Sequence, residues 1–139
     1  MVDLHLVTMD FPEEFIRRGQ FKLHSGDLSN KLYDVNSMLT NEQWFDFIKV
    51  GIPLGDYTYV GIATAGAIIA SHFKPYAMVK DKELKGEVLG RYVLIDDVCT
   101  TERSLRDAIK IIGRLPEHIF VVVDRRTSKD LGINALFEV

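Results

Sequence analysis

The densest chemistry in the chain lies in Val93-Leu-Ile-Asp96-Asp97-Val-Cys-Thr100-Thr101-Glu102-Arg103-Ser104. An apolar run ends in two adjacent carboxylates, and a short hydroxyl-rich loop then enters a helical pattern. Neighbouring acids at a strand end repel each other and lose hydration when covered, so donors or positive charge should face them. The vicinal hydroxyls of a sugar, or a metal ion, would meet that need. The loop brings backbone N–H groups and hydroxyls to a helix N-terminus, a natural place for phosphate. Acid pair and phosphate cradle lie one loop apart, the span of a sugar phosphate. A structural acid pair capping a helix is the alternative.

Four other segments carry polar groups at suggestive positions. Gly61-Ile-Ala-Thr64-Ala65-Gly66 is a strand-to-helix turn in which glycine permits close backbone approach to a ligand. Lys80, Lys82 and Lys85 lie in a charged stretch that, taken by itself, reads as a solvated loop. Val121-Val-Val-Asp124-Arg125 ends a strand in a guanidinium, which matches a carboxylate bidentately. Phe21 to Asp34 (FKLHSGDLSNKLYD) alternates apolar residues with turn formers, as a hairpin or irregular flap does. Cys99 reads as a small buried apolar residue, Trp44 as helix core, and His5, His72 and His118 lack metal-ligand spacing.

These groups need a scaffold, and the hydrophobic rhythm supplies one. Asp10-Phe-Pro12-Glu13 predicts a short helix that Gly19 stops after Arg17 and Arg18. Thr40-Asn-Glu-Gln43 resembles a capping box before a helix with Trp44, Phe47 and Ile48 on one face. Strands are predicted at Tyr57–Ala63, Tyr76–Val79, Arg91–Asp96, His118–Asp124 and Ile133–Val139, with helices at Ala67–His72 and Ser104–Gly113. Asp81–Gly90 reads as a charged loop. Near-continuous Val/Ile strands separated by helix-length segments predict an α/β fold, a mostly parallel twisted sheet flanked by helices. The loops after Ala63, Val79, Asp96 and Asp124 should then share the ligand-binding edge.

The totals exclude several classes. The 139 residues suit one domain without a linker, residues 1–40 forming an N-terminal helix and flap and 41–139 the core. A net charge of −3 gives no basic surplus for nucleic acid or an anionic membrane. The single Cys99 allows no intrachain disulfide and suits a reducing compartment. No run approaches the ~20 apolar residues of a membrane span, and the acidic start is unlike a signal peptide. The expectation is a soluble cytoplasmic protein.

The segment around Asp96 and Asp97 resembles the signature of type I phosphoribosyltransferases, which bind 5-phosphoribosyl-1-pyrophosphate (PRPP). The flap from Phe21 to Asp34 and the strand ending in Asp124-Arg125 are similar to those of the orotate enzymes, and all three motifs occur in family order between about Phe15 and Arg125. The resemblance implies that Asp96 and Asp97 bind ribose and that Thr100, Thr101, Glu102, Arg103 and Ser104 form the 5-phosphate loop. It implies a pyrophosphate loop at Thr64, Ala65 and Gly66. Base contacts would come from Ser25, Gly26 and Arg125, and catalytic groups from Lys80, Lys82, Lys85 and Asp97. The family usually has lysine at the position of His24 and glycine in the phosphate loop where Glu102 stands. If its carboxylate is to spare the phosphate, it should turn outward onto Arg103 or Arg106. The implied reaction is phosphoribosyl transfer from PRPP to a pyrimidine base, orotate first. Mg²⁺ would bridge substrate oxygens, no protein side chain being assigned to the metal, and a homodimer would be the assembly. A non-catalytic PRPP or nucleotide sensor is the alternative.

Overall fold

A computed structural model describes residues 10–23 and 26–139. An antiparallel pair, β1 (Ile16–Lys22) and β2 (Leu28–Tyr33), forms the flap. Two helices follow, α1 (Val35–Met38) and α2 (Glu42–Val50). The core then alternates as β3 (Thr58–Ile62), α3 (Ala65–Ala70), β4 (Tyr76–Lys80), β5 (Glu83–Lys85), β6 (Tyr92–Cys99), α4 (Arg103–Ile112), β7 (His118–Asp124) and β8 (Asn134–Glu138). The sheet runs β5-β4-β3-β6-β7-β8, parallel throughout except for β5 at one edge. The α/β expectation is therefore met.

Alternation along the buried strands divides the core into two layers. Val93 and Ile95 of β6 and Phe120 and Val122 of β7 pack with residues of α1, α2 and α3 on one face. Tyr92, Leu94, Ile119 and Val121 turn to the other, where Leu105 and Ala108 of α4 cover them. Tyr92, Val93, Leu94 and Ile95 are all fully buried, which explains why β6 reads as an unbroken apolar run. Among the described residues no helix is long and apolar enough to cross a membrane.

Three local expectations change. The predicted helix after Asp10 is only a 3-10 turn, Glu13–Phe15, and Ile16, Arg17 and Arg18 belong to β1. Their pairing with Tyr33, Leu32 and Lys31 supplies sheet hydrogen bonds that outweigh the local capping signal, and the Arg17–Asp34 and Arg18–Glu13 ion pairs hold them there. The ladder shifts register between Arg18 and Phe21, so Gly19 sits in an irregularity rather than at a helix end. Asn41, not Thr40, caps α2 by accepting from the Trp44 N–H at 3.0 Å, and Phe45 rather than Phe47 is buried beside Ile48. The charged stretch after Lys80 contains β5, because Asp81 and Lys82 adopt positive φ (52° and 62°) and turn the chain back as a hairpin.

The strand order reverses between β3 and β6, since β3 connects outward to β4 while β6 connects outward to β7. At such a switch point the connecting loops part and leave a crevice at the carboxyl ends of the strands. Two glycines bring α3 close enough to form its wall. A Cβ on Gly61 would lie 2.1 Å from the Gly66 carbonyl oxygen, and one on Gly66 would lie 2.4 Å from that of Ile95. These neighbours are backbone and cannot rotate away. Gly61→Ala should therefore destabilise the fold by about 1–3 kcal/mol or more. A lowered urea midpoint is the expected result; an unchanged midpoint would show that α3 is not seated this tightly.

Candidate active site

The two acids at the end of β6 are separated by the same alternation that divides the core. Asp96 turns toward the α4 side and is almost completely buried; Asp97 turns toward the flap and stays half-buried. Asp96 accepts from the Asp97 N–H at 2.8 Å, and Asp97 from the Val98 N–H at 2.8 Å. Burial, reinforced by the neighbouring Asp97, pushes the Asp96 carboxyl well above the ordinary carboxylate range. Such a group gains from a hydroxyl donor or a cation.

Three adjoining hollows surround this pair. A cradle formed by residues 98–105 and Asp96 lies over the start of α4. Thr100, Thr101, Glu102, Arg103 and Ser104 all line it, and first-turn amides of a helix have no acceptor within the helix. A middle hollow of about 170 Å³ includes Thr64, Ala65, Asp96, Asp97 and Ser104. The Ala63–Thr64 peptide at its rim is cis. A cleft of about 260 Å³ opens between flap and core, with Lys22, Tyr33, Asp97 and Arg125 in its wall. Asn36, Asp97 and Val98 line both this cleft and the middle hollow.

Arg125 begins the segment after β7 and is tied to the flap. It donates to the Ser29 Oγ at 3.1 Å and to the Lys31 carbonyl at 3.3 Å, and its guanidinium lies 4.8 Å from the Tyr33 ring centre. A planar cation held in this way can face an anionic ring system across the cleft.

Other expected site residues lie further off. Gly66 is buried under the crevice against Ile95, supporting the wall without lining the hollow. Gly26, at φ +91°, donates its N–H to the Leu23 carbonyl while the Leu23 N–H donates to that of Asp27, and it does not line the cleft. Ser25 lies outside the described residues, as do His24 and His5. Lys80, Lys82 and Lys85 are exposed on the β4–β5 hairpin and line none of the three hollows, Lys85 being paired with Glu83 at 2.6 Å. A pairwise turn holds them to the sheet edge, where a free loop was expected.

Glu102 sits in the cradle segment with φ 66°, a left-handed conformation that glycine adopts most easily. Its carboxylate is turned away, 4% exposed, and accepts from Arg126, Arg106 and the N–H groups of Asp130 and Leu131. Of the two expected partners, Arg106 is found at 2.9 Å, while Arg103 is exposed at the cradle. Burial alone would raise the Glu102 carboxyl, but these four donors hold it down to about 2. Arg126, which the sequence reading passed over, is the central partner. The signal for it was the second arginine after Asp124, sent by alternation to the face opposite Arg125. Cys99 is buried as expected, and burial pushes its thiol up to about 11.

No family model matches the chain. It is 34% identical to the orotate phosphoribosyltransferase of Methanocaldococcus jannaschii over 137 aligned positions, covering 79% of this chain and 75% of that protein. With the orotate phosphoribosyltransferase of Pyrococcus furiosus the identity is 33% over 149 positions, covering 86% and 80%. The chain belongs to the orotate phosphoribosyltransferase family. The crystal structure of the Aeropyrum pernix orotate phosphoribosyltransferase superposes with a TM-score of 0.69 at 27% identity, covering 81% of this chain and 77% of that one. Leishmania donovani UMP synthase shares the fold, with a TM-score of 0.74 at 23% identity over 91% of this chain and 34% of its own. The type I phosphoribosyltransferase fold is thus shared over most of the chain.

The charge distribution around this family member's site makes its stability depend on pH in opposite senses. Because the folded Asp96 carboxyl is raised, its favourable contribution is complete below the ordinary value of 3.8 and is lost as pH rises through the folded value. Glu102 is lowered, so its contribution is present above 4.5 and is lost as pH falls toward about 2. Asp96→Asn with Asp97→Asn should therefore melt higher than the parent at about pH 7, with the difference shrinking toward about pH 4. Melting curves across that range check it. A variant less stable at neutral pH would mean the acids are already neutralised within the chain.

Proposed function

We propose that this chain transfers the phosphoribosyl group of PRPP to a ring nitrogen of a pyrimidine base, orotate, with release of pyrophosphate. The observation that carries this reading is that three hollows adjoin around the carboxylate pair, Asp96 lining the cradle, Asp97 the cleft, and both the hollow they share. A ribose 5-phosphate laid across them would rest its phosphate on the cradle of residues 100–104 and its ring hydroxyls on Asp96 and Asp97. Its anomeric carbon would then lie near Asn36, Asp97 and Val98, the residues common to the middle hollow and the cleft. Pyrophosphate would extend toward Thr64 and Ala65, and the base toward Arg125. The orotate phosphoribosyltransferases among the relatives support the choice of base.

In the reaction the anomeric C–O bond breaks, its electron pair leaving with pyrophosphate, and a C–N bond forms to the base nitrogen, whose proton is lost to solvent. Positive charge develops on the ribose ring between the two steps of bonding. The protein's contribution is to align the two partners and to hold compensating negative charge, from Asp97 above all, beside the ring. Asp96 and Asp97 are the carboxylates present that would hold Mg²⁺, and the cation would supply neutralisation of charge on the leaving group. Arg125 would orient the base through its carboxylate.

One observation favours a non-catalytic PRPP sensor instead: no hairpin lysine lines the hollows. Under the enzymatic reading, Lys80, Lys82 or Lys85 must reach pyrophosphate by movement of the hairpin or from a second copy of the chain. Turnover of PRPP with orotate in Mg²⁺ separates the two readings, since a sensor binds PRPP without consuming it. Arg125→Leu should then weaken orotate use far more than PRPP binding. Loss of a charge-assisted hydrogen bond costs on the order of 1.5–3 kcal/mol, roughly tenfold to a hundredfold. Equal losses for base and PRPP would assign Arg125 to holding the flap on Ser29 and Lys31.

A further inference from the structure

We propose that Arg126 is a positioning residue that keeps the Glu102 carboxylate out of the phosphate cradle. The inference rests on the reading of that cradle as a 5-phosphate site. A carboxylate in the middle of a phosphate-binding loop opposes its ligand unless it is both turned away and neutralised. Glu102 meets both conditions through one buried cation. Arg126 Nη1 donates to its Oε2 at 2.6 Å, and the two side chains are 3% and 4% exposed.

The guanidinium is itself fixed from behind. Its Nε and Nη2 donate to the two carboxylate oxygens of Asp124 at 2.9 and 2.8 Å, a fork that ties it to the end of β7. Nη1 also donates to the Leu131 carbonyl at 2.8 Å. This holds the segment whose Asp130 and Leu131 N–H groups reach the same Glu102 oxygen at 2.8 and 3.1 Å. Arg126 therefore acts on Glu102 directly and also fixes its backbone donors. The remaining cation, Arg106, is half-exposed and bonds the other oxygen at 2.9 Å, so water screens it. Without Arg126, a buried carboxylate would keep one half-exposed cation and two backbone donors, and would lose the buried cation that holds it on the side away from the cradle.

Replacing Arg126 thus does its damage through Glu102, and removing both charges should undo that damage. The test is a cycle of Arg126→Gln, Glu102→Gly and the double variant, titrated with PRPP in Mg²⁺ by calorimetry. Arg126→Gln should weaken PRPP binding by about tenfold or more, and the double variant should return to within about threefold of Glu102→Gly. A double variant that binds no better than Arg126→Gln overturns the inference, as does Arg126→Gln binding like the parent. If Arg126→Gln does not fold, Arg126→Met, which removes the charge and keeps an unbranched stem, takes its place under the same criterion. A parent that binds no PRPP refutes the functional reading. The restraint on Glu102 is then judged by amide exchange at Asp130 and Leu131: faster exchange in the Arg126 variant supports it, and unchanged exchange overturns it.

Discussion

The parallel pairing of β3 with β6, Tyr59 beside Val93 through Gly61 beside Ile95, is the contact on which the site depends. It joins two strands whose onward connections leave in opposite directions along the sheet. Their carboxyl ends are thereby left uncovered by either connection, and the Thr64 turn faces the Asp96–Asp97 pair across the gap. Gly61 and Gly66 remove the side chains that would otherwise push α3 away from this junction. Packing and site are one requirement here: the helix that closes the core also forms the wall of the crevice.

Two acidic pairs near the site are handled in contrasting ways. Glu102 and Asp124 share Arg126, so their charges are balanced within the fold and held by bonds of 2.6 to 2.9 Å. Asp96 and Asp97 accept from backbone N–H groups, with no cation bonded to either among the described residues, and burial with the neighbouring Asp97 raises Asp96. The first arrangement favours folding. The second leaves electrostatic tension at the centre of a hollow, the condition under which ligand donors or a cation bind with gain. Stability and binding are thus assigned to different carboxylates.

The strand-end arginines follow the same division of labour. Consecutive residues at the end of a strand face opposite sides of the sheet, and Arg125 and Arg126 obey this rule. Arg125 meets the flap and its cleft, while Arg126 turns under the α4 side to Glu102. One reaches toward solvent and any anionic ligand; the other is buried as part of the frame. Identical side-chain chemistry takes on different work because alternation supplies different surroundings.

Much of this was determined by the sequence alone. β7 spans His118–Asp124, the expected strand around the apolar run of residues 119–123, and α4 ends at Gly113 with φ 91°, as its glycine indicates. Local pattern suffices there because burial on both faces, or a left-handed stop, constrains each residue type in turn. The adjacency of Asp96, Asp97 and the Thr100–Ser104 loop was legible for the same reason, being covalent. Only the tertiary structure could decide the rest. Residues 16–18 became strand because β2 offered partners, the Lys80 cluster became a hairpin through pairing with β4, and Glu102 was neutralised by Arg126, 24 residues away. Each of these outcomes depends on a partner distant in sequence. Local propensities worth a fraction of a kcal/mol cannot anticipate a hydrogen-bonded or ionic partner that only folding brings within reach.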